Sequence, residues 1–398
     1  MPRGMTAPPI EPRDARPCAP PGGIYVHVPF CVHKCAYCDF YSTTELSLKP
    51  AFLDALEREI RGAPDRLACD TIHFGGGTPS LLTPAEAARI LDALAAVVPL
   101  RPPVVITLEA NPGTLGPSEF SGFRAAGVNR LTLGVQSFED PCLKLLGRIH
   151  TAAEAHRAID QARAAGFDNL GIDLIYGLPG QTPDAWRQEL RAAVDRGLEH
   201  IACYMLTLEP GTPLSAQHAA GGFEPAPEAV VAELFLSTSE FLAANGYVHY
   251  EVSNFARAAA NGPFYSRHNC KYWSGVPYLG FGPAAHSFLP PKRFWNHRSL
   301  KRYLENLARG APARGGEEEL SLEQLMTEAV MLGLRTAWGI DRADFGERFG
   351  AGPAAALSAA AEESIARGLL SADGDRLAPT LRGMLYLDSV TAELLQAF

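Results

Sequence analysis

The sequence predicts an α/β fold: a partial barrel of six β/α units followed by a small, helical, winged-helix-like C-terminal domain. Three observations support this. From residue 23 onward, short apolar runs alternate with amphipathic helical segments, which is typical of β/α units around a parallel sheet. Six such runs are present, fewer than the eight strands of a closed barrel. After about residue 320 the order changes to two helices, a β-hairpin and a last helix.

The predicted strands are short and apolar, and the helices between them carry apolar residues on one face. The six strands span residues 24–30, 71–74, 104–109, 130–135, 169–176 and 201–206. The five helices between them span residues 51–61, 84–97, 117–126, 151–165 and 183–196. Thr83 and Thr182 each precede a proline, which indicates an N-cap followed by proline at the first helical position.

We expect four regions along the chain. Residues 1–22 are rich in proline and lack the apolar centre of a secretory signal, so they are expected to form a disordered leader. The barrel is expected over residues 23–258. A connecting segment dense in aromatic residues, glycine and histidine, residues 259–318, is expected over the barrel mouth. The C-terminal domain is expected over residues 319–398, with Ser321 as the N-cap of its first helix.

Composition argues against several function classes. A hydrophobic content of 47% with 20% charged residues supports a soluble, packed core. Lys and Arg total 35 against 44 Asp and Glu, which leaves no electrostatic basis for general binding to nucleic acid or to an anionic membrane. No apolar run approaches the ~18 residues of a transmembrane segment. We expect a cytoplasmic protein in which the five scattered cysteines outside residues 31–38 are reduced.

The loop after the first strand is the most informative about chemistry. Cys31, Cys35 and Cys38 lie within eight residues, so they can converge on one centre without long-range folding. Three thiolates suit an iron–sulfur cluster or a soft metal ion. A structural zinc site would need a fourth ligand, for which His27, His33 or a distant residue are the candidates. Three core cysteines gathered by chance are the remaining alternative.

The spacing C-x3-C-x2-C directly after a strand, with Tyr37 just before the third cysteine, resembles the signature of the radical S-adenosylmethionine (SAM) superfamily. This resemblance implies that the three thiolates bind a 4Fe-4S cluster. It also implies that the amine and carboxylate of S-adenosyl-L-methionine bind the fourth iron, and that SAM is cleaved to a 5′-deoxyadenosyl radical. An electron donor such as a flavodoxin is the partner that this chemistry implies.

Polar or glycine-rich residues end the other predicted strands, at the edge of the sheet where ligands collect in such folds. The glycine segment 75–77 could bring backbone N–H groups to a ligand, although a simple turn is the alternative. Each polar strand end could equally be a capped or solvated residue. The pattern resembles the oxygen-independent coproporphyrinogen oxidase family from about Tyr25 to the chain end. This resemblance implies that SAM is contacted by Tyr25, Gly76, Gly77, Thr78, Glu109, Gln136, Arg148 and Asp173.

Two departures from that family point to a sister group. The oxidases carry a fourth cysteine two residues after the third, where this chain has Phe40, and they have a longer N-terminal extension. The segment HNCKYW, residues 268–273, instead resembles the HNxxYW motif of the HemW-type heme chaperones. This resemblance makes His268 a candidate axial ligand for heme, with Tyr272 and Trp273 as flat apolar surface. A hydrogen-bonded structural histidine is the alternative for His268, and His286 is a second candidate ligand.

The sequence therefore predicts a heme-binding radical SAM protein that passes heme to acceptor proteins, with no residue assigned as catalytic. One alternative is an oxygen-independent coproporphyrinogen III oxidase, which oxidatively decarboxylates its substrate; the missing fourth cysteine argues against this activity. Another is a different radical SAM reaction on tetrapyrroles, such as methyl transfer with ring opening. No nucleic-acid partner is expected, because the C-terminal domain is not notably basic.

Overall fold

The computed structural model describes residues 21–63 and 67–398. The predicted leader lies outside the described residues except for Pro21 and Gly22, and Gly22 begins the first strand. No helix among the described residues is long and apolar enough to cross a membrane.

The first half of the chain forms the predicted β/α units. The parallel strands are buried on both faces, which explains their continuous apolar sequence. Thr83 caps its helix as predicted, because its hydroxyl accepts a hydrogen bond from the backbone of Glu86 at 3.2 Å. The elements are β1 (Gly22–Val28), α1 (Lys49–Arg61), β2 (Cys69–Gly76), α2 (Pro84–Val97), β3 (Leu100–Ala110), α3 (Pro117–Ala125), β4 (Arg130–Gln136), α4 (Asp140–Leu145), α5 (Ala152–Ala164), β5 (Leu170–Tyr176), α6 (Pro183–Asp195) and β6 (His200–Met205).

The middle of the chain contains more regular structure than the sequence suggests. A helix of seven residues, α9, crosses the aromatic segment in which helical periodicity is not detectable, since two turns are too short to show it. The elements of this part are α7 (Pro213–Ala219), α8 (Glu228–Ala244), β7 (Tyr247–Glu251), β8 (Asn254–Arg257), α9 (Arg267–Trp273), β9 (Tyr278–Phe281), β10 (His286–Leu289), β11 (Lys292–Asn296), α10 (Leu300–Ala308) and β12 (Arg314–Glu319).

Within the described residues, twelve strands form one sheet in the order β12-β11-β10-β9-β1-β2-β3-β4-β5-β6-β8-β7. Strands β1 to β6 are parallel and lie in chain order. Strand β9 adds to the free side of β1 in parallel, and β10, β11 and β12 continue from it antiparallel. The connecting segment 259–318 therefore extends the barrel sheet past β1.

The C-terminal part follows the predicted order of helices, β-hairpin and helical end, but it has three helices before the hairpin and two after it, where two and one were predicted. Its elements are α11 (Leu322–Leu334), β13 (Ile340–Asp341), α12 (Arg342–Phe349), α13 (Ala351–Ala366), β14 (Leu370–Asp373), β15 (Arg376–Pro379), α14 (Leu381–Leu385) and α15 (Leu387–Leu395). Ser321 caps α11 as predicted. This part has its own core, and it docks on the barrel through the buried carboxylate of Glu251, which accepts two hydrogen bonds from the Arg335 guanidinium at 2.6 and 3.0 Å.

Candidate cluster and cofactor site

The loop that carries the three cysteines is fixed by backbone hydrogen bonds at its ends and in its middle. The N–H of Cys31 donates to the carbonyl of Thr43 at 2.9 Å. At the middle of the loop, the N–H of Ala36 donates to the carbonyl of Leu146 at 3.1 Å, and its own carbonyl accepts from the N–H of Leu214 at 2.8 Å. The backbone that presents the thiols is therefore held by hydrogen bonds to three other parts of the chain.

The glycine segment after β2 holds the start of this loop. The N–H groups of Gly77 and Thr78 donate to the carbonyls of Val28 and Phe30 at 2.9 and 2.7 Å, so they are not available to a ligand. Gly76 has a φ of +113°, and a Cβ atom there would lie 2.7 Å from a histidine ring on β1. Glycine is required at this position because the two strands approach each other too closely for a side chain.

A cavity of about 700 Å³ lies at the carboxyl ends of the parallel strands; we call it the cluster cavity. It brings together ten of the twelve site residues that the sequence singles out, namely Cys31, Cys35, Cys38, Gly76, Gly77, Thr78, Glu109, Gln136, Arg148 and Asp173. The other two, Tyr25 and His268, do not line it.

The donor set of the cluster cavity fits an iron–sulfur cluster. The three thiols line the same space, and two of their sulfurs receive hydrogen bonds: Cys31 from the Thr78 hydroxyl at 3.5 Å and Cys35 from the Arg148 guanidinium at 3.3 Å. Such hydrogen bonds to cluster sulfurs tune reduction potential. No three His, Cys, Asp or Glu side chains in the described part of the chain are placed to hold a single metal ion. The thiols thus surround a space instead of converging on one point.

Charged groups of both signs line the same cavity. Arg148 also donates to the carbonyl of Gly134 at 2.6 Å, and its buried Nε has no hydrogen-bond partner among the described residues. The Glu109 carboxylate lies 2.8 Å from the Nε2 atom of His73. Burial, with Glu109 nearby, raises the pKa of Asp173 to about 7. SAM carries an ammonium, a sulfonium and a carboxylate, so two carboxylates and one guanidinium match its charges.

Sequence reasoning missed the contribution of β6. Tyr204 and Met205, at the end of that strand, line the cluster cavity although they are 40% and 51% exposed, and Leu206 lines it too. An apolar surface of this kind suits a flat base such as adenine. The available signal was the position at a strand end, since these residues carry no charge.

Tyr25 projects from β1 into a second, adjoining cavity, which we call the lateral cavity. Its hydroxyl lies 3.1 Å from the Nδ1 atom of His27, and its ring stacks on that of His73 with a centroid distance of 6.1 Å. The structure therefore places Tyr25 beside the cluster cavity and not within its lining.

His268 lies in α9 and is only 1% exposed. Its Nδ1 atom lies 2.9 Å from the Thr71 hydroxyl, its Nε2 atom lies 2.8 Å from the Tyr272 hydroxyl, and its ring stacks on His73. Burial lowers the pKa of His268 well below its usual value. Heme ligation by His268 would require one of these hydrogen bonds to break and the ring to be uncovered. The assignment stays a prediction, and this geometry favours the structural alternative.

Comparisons with known families agree with the geometry. Residues 25–193 match the Radical SAM superfamily, and residues 320–386 match the HemN C-terminal domain. Membership of the radical SAM superfamily implies a 4Fe-4S cluster and SAM.

Similar proteins extend this result to nearly the whole chain. A Mycobacterium tuberculosis protein named Heme chaperone HemW is 37% identical over 382 residues, which cover 94% of this chain and 95% of that protein. A Bacillus subtilis protein of the same name is 35% identical over 336 residues, 82% of this chain and 86% of its own. The solved structure of coproporphyrinogen III oxidase (HemN) from Escherichia coli shares the fold, with a TM-score of 0.80 and 24% identity over 96% of this chain and 91% of that one. The chain therefore belongs to the radical SAM superfamily and, within it, to the HemW family.

Proposed function

We propose that this protein binds heme and transfers it to acceptor proteins as a radical SAM heme chaperone. The observation that carries the proposal is the 37% identity to a protein named Heme chaperone HemW over 94% of this chain. A likeness of that extent cannot be confined to the cysteine motif, which is common to the whole superfamily. It includes most of the C-terminal domain as well as the barrel.

In this proposal Cys31, Cys35 and Cys38 hold the 4Fe-4S cluster, which supplies an electron to SAM when both are bound. Glu109 and Asp173 bind the cationic groups of SAM, and Arg148 binds its carboxylate. The apolar end of β6 covers the adenine. The remaining proposed contacts are Tyr25, Gly76, Gly77, Thr78 and Gln136. The proposal includes an electron donor such as a flavodoxin and a location in the cytoplasm.

The position of Phe40 supports a chaperone over a decarboxylase. Phe40 stands where the oxidase family has its fourth cysteine, and its side chain cannot replace a thiol. It is 74% exposed and lines both the cluster cavity and the lateral cavity. An exposed phenyl ring between the two cavities offers apolar surface to a flat ligand.

Two substrates offered in parallel test this function. Purified, cluster-reconstituted protein receives either ferric heme or coproporphyrinogen III together with SAM and a reductant, without oxygen. We expect heme to remain bound through gel filtration, and we expect no carbon dioxide to be released from coproporphyrinogen III. Carbon dioxide release that depends on the cluster would establish the oxidase instead. The variant with all three cluster cysteines replaced by alanine is the control, because any release that it still shows is not cluster chemistry.

A further inference from the structure

The lateral cavity has a volume of about 710 Å³ and lies beside the cysteine loop. Asp39 and Phe40 line both cavities, so this short segment after Cys38 separates the two. On its other side the lateral cavity is walled by β10, β11 and the residues that follow β11. The volume lies within the roughly 300–1,000 Å³ of typical cofactor sites.

We propose that the lateral cavity is the heme site and that His286 is the axial ligand of the heme iron. The proposal rests on the proposed function, since it takes heme as the ligand. His286 is the first residue of β10, and its side chain is exposed and lines the cavity. Among residues 21–63 and 67–398 no hydrogen bond engages its imidazole ring, whereas both ring nitrogens of His268 are engaged.

The residue opposite His286 holds the imidazole ring in place. His286 pairs with Trp295 across the β10–β11 ladder, so both side chains lie on one face of the sheet. Their rings stack with a centroid distance of 5.7 Å and an interplanar angle of 27°. Gly316 faces Trp295 on β12, and a Cβ atom there would lie 2.5 Å from the indole. The glycine leaves room for the indole, and the indole in turn fixes the plane of the imidazole ring that would ligate the iron.

The charges around the lateral cavity favour one orientation of heme. Arg298 lines the cavity with its guanidinium 5.9 Å from the Tyr41 ring centroid, and no ion pair of Arg298 is found among the described residues. It is therefore available to a propionate carboxylate. Asp39 is an acid on the cluster side of the cavity, so the propionates are directed away from it. Burial and the nearby Arg293 lower the pKa of His286, which keeps the imidazole neutral and able to donate its lone pair to iron.

Two other histidines line the lateral cavity and can be compared with His286. Both ring nitrogens of His27 are engaged, Nδ1 with the Tyr25 hydroxyl and Nε2 with the Tyr41 carbonyl, each at 3.1 Å. His297 is the stronger competitor, because it lies on the same wall one residue beyond β11. In the described part of the chain, no aromatic ring stacks on His297 as Trp295 stacks on His286. The His297 variant is therefore the matched control.

Titrations with ferric heme and with metal-free protoporphyrin IX distinguish iron ligation by His286 from packing of the porphyrin in the lateral cavity. Each is titrated into the full-length protein, and heme spectra are recorded as differences from the same cluster-bearing protein without heme. We expect His286→Ala to weaken ferric heme binding by about tenfold or more and to shift the Soret band. Metal-free protoporphyrin should bind that variant as it binds the wild type. Added imidazole should restore the Soret position, which a purely structural role of His286 would not allow.

Three further variants test other residues that line the lateral cavity. Trp295→Ala should weaken binding of ferric heme, because the imidazole loses the ring that orients it, and Arg298→Gln should weaken binding of heme but not of its dimethyl ester. His297→Ala should leave the Soret band unchanged. If His286→Ala fails to fold, judged by circular dichroism, His286→Gln takes its place.

Unaltered heme affinity and Soret band in the His286 variant would overturn the site and leave the proposed function standing. A Soret shift in His297→Ala alone would overturn the assignment of the ligand to His286. Failure of the wild type to bind ferric heme would overturn the proposed function itself, and the site with it.

Discussion

The guanidinium of Arg148 lies 3.3 Å from the sulfur of Cys35. The two residues are far apart in the chain, and this contact joins the cysteine loop to the stretch that follows β4. The contact places a positive charge beside a sulfur that is proposed to bind the cluster. The same guanidinium is held by the carbonyl of Gly134, so its position is fixed from two sides.

Arg148→Gln should make the cluster harder to reduce. The variant keeps a hydrogen-bond donor near Cys35 but loses the positive charge that favours the extra electron. We expect the midpoint potential, measured in an electron paramagnetic resonance titration without SAM, to move to a more negative value. Lys144→Gln, which removes an exposed charge from α4, is the control and should leave the potential in place. If Arg148→Gln and Lys144→Gln have the same midpoint potential, Arg148 does not face the cluster.

Replacement of Cys31, Cys35 and Cys38 by alanine should abolish iron binding. Anaerobically reconstituted wild type should carry about four irons per chain, as a 4Fe-4S cluster requires. Cys142→Ala is a matched control, because this free cysteine packs against the same small apolar cluster as Tyr37 but does not line the cluster cavity. Iron and visible absorption retained by the triple variant would show that the ligands are elsewhere.

Asp173→Asn and Glu109→Gln should weaken SAM binding. Each change preserves shape and removes a carboxyl group that can pair with the cationic groups of SAM, so we expect a loss of about tenfold for each. The readout is the change that SAM produces in the electron paramagnetic resonance signal of the reduced cluster. Asp168→Asn, an exposed change just before the opposite end of β5, should have no effect. A full response in both cavity variants would remove these carboxylates from the site.

His268→Ala should lower stability and leave heme binding unchanged. Without the imidazole, the Thr71 and Tyr272 hydroxyls each lose a buried hydrogen-bond partner, which costs about 1–3 kcal/mol. Thermal unfolding measures the cost, and the Soret band shows whether the ligand is intact. His286→Ala should leave stability unchanged and weaken heme binding. A shifted Soret band in a His268→Ala protein of normal stability would support His268 as the ligand, as the sequence motif suggests.

Glu59 should make the free energy of unfolding fall as pH rises. This half-buried residue of α1 accepts hydrogen bonds from the Gly282 backbone at 2.9 Å, the Tyr303 hydroxyl at 2.6 Å and the Asn296 side chain at 2.5 Å. Burial raises its pKa from 4.5 to about 7, against the effect of those hydrogen bonds. The folded state therefore binds the proton more tightly than the unfolded chain does. Its contribution is full below pH 4.5 and is lost as pH rises to about 7.

Chemical denaturation at pH 5 and pH 8 measures this contribution. The wild type should lose up to about 3 kcal/mol more between these values than Glu59→Gln, which does not titrate. Glu323→Gln, an exposed change on α11, should lose as much free energy of unfolding between pH 5 and pH 8 as the wild type does. If the free energy of unfolding changes equally between pH 5 and pH 8 in all three proteins, Glu59 is ionised in the folded protein at both pH values.

The sequence predicts those parts of the fold that depend on neighbouring residues. Strands β1 to β6 are continuous apolar runs, and the capping signals at Thr83 and Ser321 each lie within four residues. The cluster cavity was predictable for a related reason, since polar residues at the ends of successive parallel strands must meet at one edge.

Features that depend on distant residues were not predictable. Strand β9 has four residues and is defined by its pairing with β1, and the burial of His268 depends on Thr71 in β2. The cross-strand pair of His286 and Trp295 requires a register that the sequence does not reveal. These long-range contacts decide which histidine faces a cavity, so the motif alone cannot distinguish a ligand role of His268 from a structural one.

The parallel pairing of β9 with β1 has a consequence for the order in which the protein is assembled. Gly23 pairs with Tyr278, 255 positions later in the chain. At ~5–20 residues per second, roughly 10–50 s of synthesis separate the two strands. During that interval β1 keeps an open edge, while the three cysteines just beyond it are already part of the nascent chain. The wall formed by β10 and β11 does not yet exist, so the proposed cluster ligands are present well before the proposed heme site is complete.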